Sequence, residues 1–288
     1  MIDNRRRVVL GISGHRTAHV VDWAAAWLRR GNAVRIVHAY RPIPYAAMDW
    51  QLPVDSNHNL IERQLRAAAT RLGRRRPDLV IATESTHLPA ARALSAAART
   101  ADLVLVGAPH CDRSRGVLAG LLDDLDCPAV VLGTGDPATT RSVAALLRGT
   151  QGDDAVLQAA FTEAHRAGCG LLVLKPWQPP LDGSGRYAET AEQKMLDGIL
   201  SGWREHYPEI GVTAELRFGE TPAELARHVA ATDLLVLGLP RPDTDHGYLE
   251  TVLREVVAGR TRLTMLVPER ALTRRELVAA GRLAAEWM

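Results

Sequence analysis

One short phrase occurs twice in this chain. Asp102-Leu-Val-Leu-Val-Gly107 returns as Asp233-Leu-Leu-Val-Leu-Gly238, roughly 130 residues later. Each copy follows a stretch that opens Pro-Ala and reads as a helix, PAARALSAAART from Pro89 and PAELARHVAAT from Pro222. Further upstream, VRIVHAYRPIP from Val34 matches GLLVLKPWQPP from Gly170. The openings, from Arg7 and from Ser142, share a strand–glycine–polar–helix pattern. A unit of about 135–140 residues is too long for a solenoid repeat and the right size for a whole domain. The expected division is therefore a first domain over residues 1–134, a second over 141–268 and an extension over 269–288, with a linker from Gly133 to Thr140.

Within each half the pattern alternates. Short β-branched runs fall at Val8–Ile12, Val34–His38, Leu79–Thr83, Leu103–Val106 and Ala129–Leu132. Helical stretches separate them at Ala18–Arg30, His58–Arg74, Pro89–Arg99 and Val117–Leu125. The second half repeats the strands at Val143–Leu147, Leu171–Lys175, Val212–Arg217, Leu234–Leu237 and Leu263–Val267. Continuous apolar runs imply strands buried on both faces, and helices between strands imply parallel pairing with right-handed crossovers. The fold class is α/β: two Rossmann-like domains, each with a five-stranded, mainly parallel sheet. Thr221-Pro-Ala-Glu224 reads as a helix start with a capping box. Thr273-Arg-Arg-Glu276 begins a C-terminal helix whose Leu277, Ala280, Ala284 and Trp287 share a face. That face docks on its own chain or on a second copy.

Composition narrows the function. Hydrophobic residues make up 47% of the 288 and charged residues 24%, which excludes wholesale disorder. No apolar run approaches the ~18 residues of a membrane span, and the start MIDNRRRVVLGISG lacks a signal peptide's apolar core, so a cytoplasmic protein is expected. Three cysteines, Cys111, Cys127 and Cys169, make neither a disulfide framework nor a C-x-x-C pair. Lysine occurs only at Lys175 and Lys194, so arginine supplies nearly all positive charge. Residues 1–140 carry 18 arginines against 13 acids, while the rest is mildly acidic and the net charge is +2. Neither half is the basic body that grips phosphate backbones, so no nucleic-acid or membrane partner is expected.

The order of these phrases, found twice, resembles the universal stress protein family in its tandem-domain form. The resemblance covers about residues 6–134 and 141–268, and includes Cys127-Pro-Ala-Val-Val-Leu132, close to the family's usual final-strand phrase. It implies a stress-response or regulatory role and an internal pseudo-dimer of the two halves; whole-chain homodimers are a further expectation. Many members bind ATP where the strand order reverses. Their signature after the fourth strand is G-x2-G-x9-G-[S/T]: glycines let the backbone approach phosphate, and the following helix offers free N–H groups.

This chain departs from that signature. The first half reads Gly107-Ala-Pro-His110, nine residues, then Gly120-Leu121; the second reads Gly238-Leu-Pro-Arg241, nine residues, then Thr251-Val252. The aspartate that ends the first strand in ATP-binding relatives is Ser13 in one half and Arg148 in the other. ATP binding is therefore disfavoured in both halves, and the expected role is non-catalytic, by contact with a protein partner or by sensing a small molecule. The alternative is binding of ATP, AMP or cyclic AMP in the first-half crevice, at Gly11, Ser13, Val37, Gly107, His110, Gly116 and Gly120. Gly116 and Gly120 serve phosphate or helix packing, and the sequence does not separate the two.

Repeat alignment also brings Ser13, His38 and His110 to one crevice, with His15 and Cys111 nearby. Those histidines and Cys111 are metal donors without metal-site spacing, so no metal is expected. In the second half Arg148, Lys175 and Arg241 form a candidate anion site, weighed against separate cations paired with nearby aspartates. Tyr45, Met48 and Trp50 form an apolar loop that could cover the crevice, meet a partner or pack ordinarily. No motif for nucleophilic or acid–base catalysis is present.

Overall fold

The apolar runs become the inner strands of one sheet. The computed structural model describes residues 6–40, 56–109, 112–133, 140–150, 152–177, 185–218, 224–225, 228–229, 232–239 and 262–269. The linker residues 134–139, the loop holding Tyr45, Met48 and Trp50, the start of the helix at Thr221, and the C-terminal extension beyond Glu269 lie outside them.

Ten strands pair into this sheet: β1 (Arg7–Gly11), β2 (Ala33–Ala39), β3 (Val80–Thr86), β4 (Leu103–Gly107), β5 (Ala129–Leu132), β6 (Val143–Leu146), β7 (Leu171–Trp177), β8 (Val212–Phe218), β9 (Leu234–Leu239) and β10 (Leu263–Pro268). Their spatial order is β3-β2-β1-β4-β5-β10-β9-β6-β7-β8. Read outward from the middle, both halves follow one order, with the first and fourth strands adjacent at the point where the direction of winding reverses. Pairing is parallel throughout except at the centre, where β5 and β10 run antiparallel from Leu132↔Leu263 to Ala129↔Leu266. The halves are thus joined through their last strands into a continuous sheet.

Six α-helices stand among the described residues: α1 (Thr17–Trp27), α2 (Ser56–Arg75), α3 (Ala90–Ala98), α4 (Asp112–Leu122), α5 (Asp153–Ala167) and α6 (Gly185–His206). Helices α1, α2, α5 and α6 cover one face, with Trp23, Leu65, Phe161 and Leu200 in its core. Helices α3 and α4 pack on the other, around Leu94, Leu118 and Leu121. Strands β4, β5 and β6 are buried almost throughout, as continuous apolar runs require. The outermost strands differ. β3 (VIATEST) and β8 (VTAELRF) are partly to largely exposed and carry Thr, Glu and Arg, the polar dress of a sheet edge.

The repeated D–L–hhh–G phrase acquires a physical meaning. The Asp102 carboxylate accepts the Arg7 backbone N–H at 2.7 Å and the Arg7 guanidinium, fixing the start of β1 beside β4. Asp233 does the same for β6, accepting from the Arg141 backbone N–H at 2.8 Å and the Ser142 hydroxyl at 3.3 Å. The glycine at the other end gives room to a helix. A Cβ on Gly107 would stand 2.7 Å from Val20 Cγ2 of α1, and one on Gly238 would stand 3.3 Å from Val156 Cγ2 of α5. The phrase therefore docks a neighbouring strand at its first residue and a helix at its last.

The boundaries differ from expectation most at the fourth helix, while α1 ends earlier and β3 runs further than expected. The fourth helix, read from sequence as Val117–Leu125, runs from Asp112 to Leu122. Its first turn, Asp-Arg-Ser-Arg, lacks the apolar period that marks a helix in sequence, but aspartate is favoured at an N-terminus. Asp123 and Asp124 oppose the negative end of the dipole, and the helix stops before them.

Candidate functional site

Parallel strands end together, so the loops after β1 and β4 part at the switch point and leave a crevice between them. In the first half this crevice has a volume of about 360 Å³. Its floor is Gly11, Ile12, Ser13 and Gly14 after β1, Val37 and Ala39 of β2, and Val106 and Gly107 of β4. Its walls are Ala90 and Leu94 of α3, and Ser114, Val117, Leu118 and Leu121 of α4. Gly14 turns the chain into α1 with φ +45°, a backbone that side chains rarely adopt.

Gly11, Ser13, Val37 and Gly107 of the expected set therefore converge. His110 and Cys111 lie outside the described residues. Gly116 of α4 does not line the crevice, and a Cβ added there would meet nothing within 4 Å. Gly120 faces α3: a Cβ there would lie 3.1 Å from the Ala91 Cβ, so this glycine lets the two helices approach. Both glycines stand inside α4, where backbone N–H groups bond back along the helix. The amides of Gly120 and Leu121 are near the C-terminal end of that helix, far from its free N–H groups.

The alternation of β2 separates two neighbours. Val37 faces α3 and α4 and lines the crevice. His38 shares the opposite face with Val34 and Ile36, under α2, so it does not join Ser13. Both ring nitrogens of His38, 6% exposed, and the Oε1 of Gln64 lack a hydrogen-bond partner among the described residues. Burial holds the His38 imidazole below its usual pKa. Among the described residues no group of three or more His, Cys, Asp or Glu is arranged to hold a metal ion.

Sequence reasoning missed the helical walls. Ser114, Val117, Leu118 and Leu121 follow the i, i+3, i+4, i+7 spacing of one helix face, a signal visible once the helix is started at Asp112. The described lining contains no charged side chain, and its only side-chain polar groups are the hydroxyls of Ser13 and Ser114.

The corresponding turn of the second half is built differently. The Asp153 carboxylate accepts the backbone N–H of Arg148 at 2.9 Å and of Gly149 at 2.8 Å. Gly149 has φ +77°, which aims successive amides at that carboxylate. Burial raises the Asp153 pKa against the pull of those amides and of Lys175. Lys175, 5% exposed, forms an ion pair with Glu192 of α6. Thr150 donates to Glu269, whose side chain packs on Gly152. Lys175 and the Arg148 backbone thus meet carboxylates of this chain, and Arg241 lies outside the described residues.

A doubled, mainly parallel sheet with its crevice at a switch point defines the class: an α/β protein of Rossmann-like fold. No protein-family model matches the chain. A universal stress protein of Mycobacterium tuberculosis is 27% identical, with 92% of this chain and 97% of that protein covered. One from Mycolicibacterium smegmatis is 27% identical over 80% of this chain and 86% of its own length. In fold, the chain is similar to the crystal structure of a universal stress protein from Archaeoglobus fulgidus, with a TM-score of 0.65 at 13% identity, covering 91% of this chain and 96% of that one. In sequence and in length the chain is thus similar to universal stress proteins of tandem size. No helix among the described residues is long and apolar enough to cross a membrane.

Proposed function

We propose that this chain is a non-catalytic regulatory member of the family, in which neither half holds ATP as a working cofactor. The supporting observation is the wall of the first crevice. A triphosphate needs cations or free amides around it. The described lining offers two hydroxyls and apolar side chains but no cation, the amides of Gly120 and Leu121 sit within a helix, and free helical amides reach it only at the first turn of α4 beside Ser114. In the second half, Asp153 occupies the turn amides and Glu192 takes the Lys175 charge, which argues against an anion there. The protein acts in this reading through contact with a partner or through a small, weakly polar ligand in the crevice. Whole-chain homodimers belong to the same proposal. Because β5 and β10 already pair with each other, such a dimer uses a helical face.

Equilibrium dialysis and thermal unfolding with ATP, AMP and cyclic AMP test this directly. No saturable shift is expected with any of them. A saturable shift that disappears in Ser13→Arg, which places a long side chain at the exposed crevice floor, would instead establish nucleotide binding in the first crevice.

A further inference from the structure

The opposite end of the strands carries a second cavity. It has a volume of about 240 Å³ and lies at the amino ends of the strands, where the two halves meet. Val8, Trp27, Leu28 and Leu103 give it an apolar floor. Among the described residues four arginines line it, Arg6, Arg29 and Arg30 from the first half and Arg166 from the second, against one carboxylate, Glu163 of α5.

That carboxylate does not neutralise its surroundings. Arg6 and Arg166 both donate to the same oxygen, Glu163 Oε1, at 3.2 and 2.8 Å. Two guanidiniums are thereby held beside one negative charge, itself only 5% exposed. Burial, and repulsion from Arg166, push the Arg6 pKa down against the pull of Glu163. Other acids near the cavity are engaged: Asp102 by Arg7 and Asp78 by Arg76. Arg29 and Arg30 stand exposed at the rim. A guanidinium keeps several donors after one is used, and its planar fork suits carboxylate and phosphate oxygens.

We propose that this seam cavity binds a small oxyanion, phosphate or carboxylate in chemistry, whose charge completes the neutralisation of Arg6 and Arg166. The anion would touch residues from both halves. It would sit at the amino ends of the strands, opposite the crevice, so this site stands apart from the question of nucleotide binding.

Calorimetric titration of the full chain with inorganic phosphate, and separately with malonate, tests the proposal at chloride-matched ionic strength. Saturable binding to one site is expected, and the tighter of the two anions assigns the class. The double variant Arg29→Ala/Arg30→Ala alters only exposed rim residues and should bind roughly tenfold more weakly. Arg166→Gln should bind weaker still, with circular dichroism confirming that it folds. Arg204→Ala removes a half-buried arginine of α6, paired with Asp197 away from the cavity, and should leave affinity unchanged. Absence of saturable binding by either anion, full affinity in the rim variant, or an equal loss in Arg204→Ala would overturn the proposal.

Discussion

At the scale of single residues, two buried positions make opposite demands. His38 is a polar ring in an apolar layer whose nitrogens make no well-formed hydrogen bond among the described residues, with only the Gln64 side chain and the Ala39 backbone close by. Its lowered pKa keeps the ring neutral in the fold, while the unfolded chain takes up a proton near the ordinary value of 6.5. The unfolded state then binds more protons, so stability falls as pH drops through that value. Replacing it, His38→Leu, is expected to leave stability at pH 7.5 unchanged or raised by about 1 kcal/mol. The same variant should lose part of the decline below about pH 6.5. Thermal melts of both proteins across that window check this, and an unchanged slope in the variant would count against it. Gly107 makes the reverse demand. Gly107→Ala should cost about 1–3 kcal/mol, because its new methyl meets Val20 at 2.7 Å. Gly238→Ala should cost less, since its nearest neighbour lies at 3.3 Å. Urea unfolding of the two variants gives the comparison, and equal losses would break the link between the repeated glycine and helix packing.

At the scale of elements, the strands are the legible part. Long β-branched runs set their centres to within a residue or two, because burial on both faces leaves the sequence little freedom. The edge strands β3 and β8 are harder to distinguish from the others, since exposure depends on which neighbour is absent. Helix α4 shows where sequence falls short. Its apolar stripe marks the face that packs on α3, but its polar first turn carries no such mark. Misplacing that start leaves Gly120 at the mouth of a helix, where it resembles a phosphate cradle. Started at Asp112, the helix carries Gly120 into its body, and the glycine becomes a contact with Ala91. Strand parity is a second lesson. His38 and Val37 are adjacent in sequence, yet only Val37 reaches the crevice. Restoring the family's terminal hydroxyl should therefore not restore ligand binding. Leu121→Ser is expected to remain without a saturable ATP-induced shift in melting. It should also lose about 2–4 kcal/mol, since Leu121 is fully buried. Dialysis with ATP alongside urea unfolding tests both halves of this expectation.

For the molecule as a whole, the repeat predicts two like halves, and only the pairing of strands shows how they are joined. The antiparallel β5–β10 contact replaces a boundary by a continuous ladder. Nothing in either strand's composition names its partner, because an apolar run of four to six residues pairs equally well with several others. A fragment ending at Gly133 would expose β5 as an unpaired apolar edge. That fragment is expected to self-associate, whereas the full chain at equal concentration should not show the added assembly. Light scattering after size-exclusion chromatography distinguishes these outcomes, and a monomeric, soluble fragment would argue that β5 needs no cover.

The polar dress of β3 and β8 has its own consequence. With the sticky strands married to each other at the centre, the outer selvedges of the fabric are trimmed with Glu, Thr and Arg. Among the described residues the weave thus finishes at ten threads, with a hem dressed against further pairing.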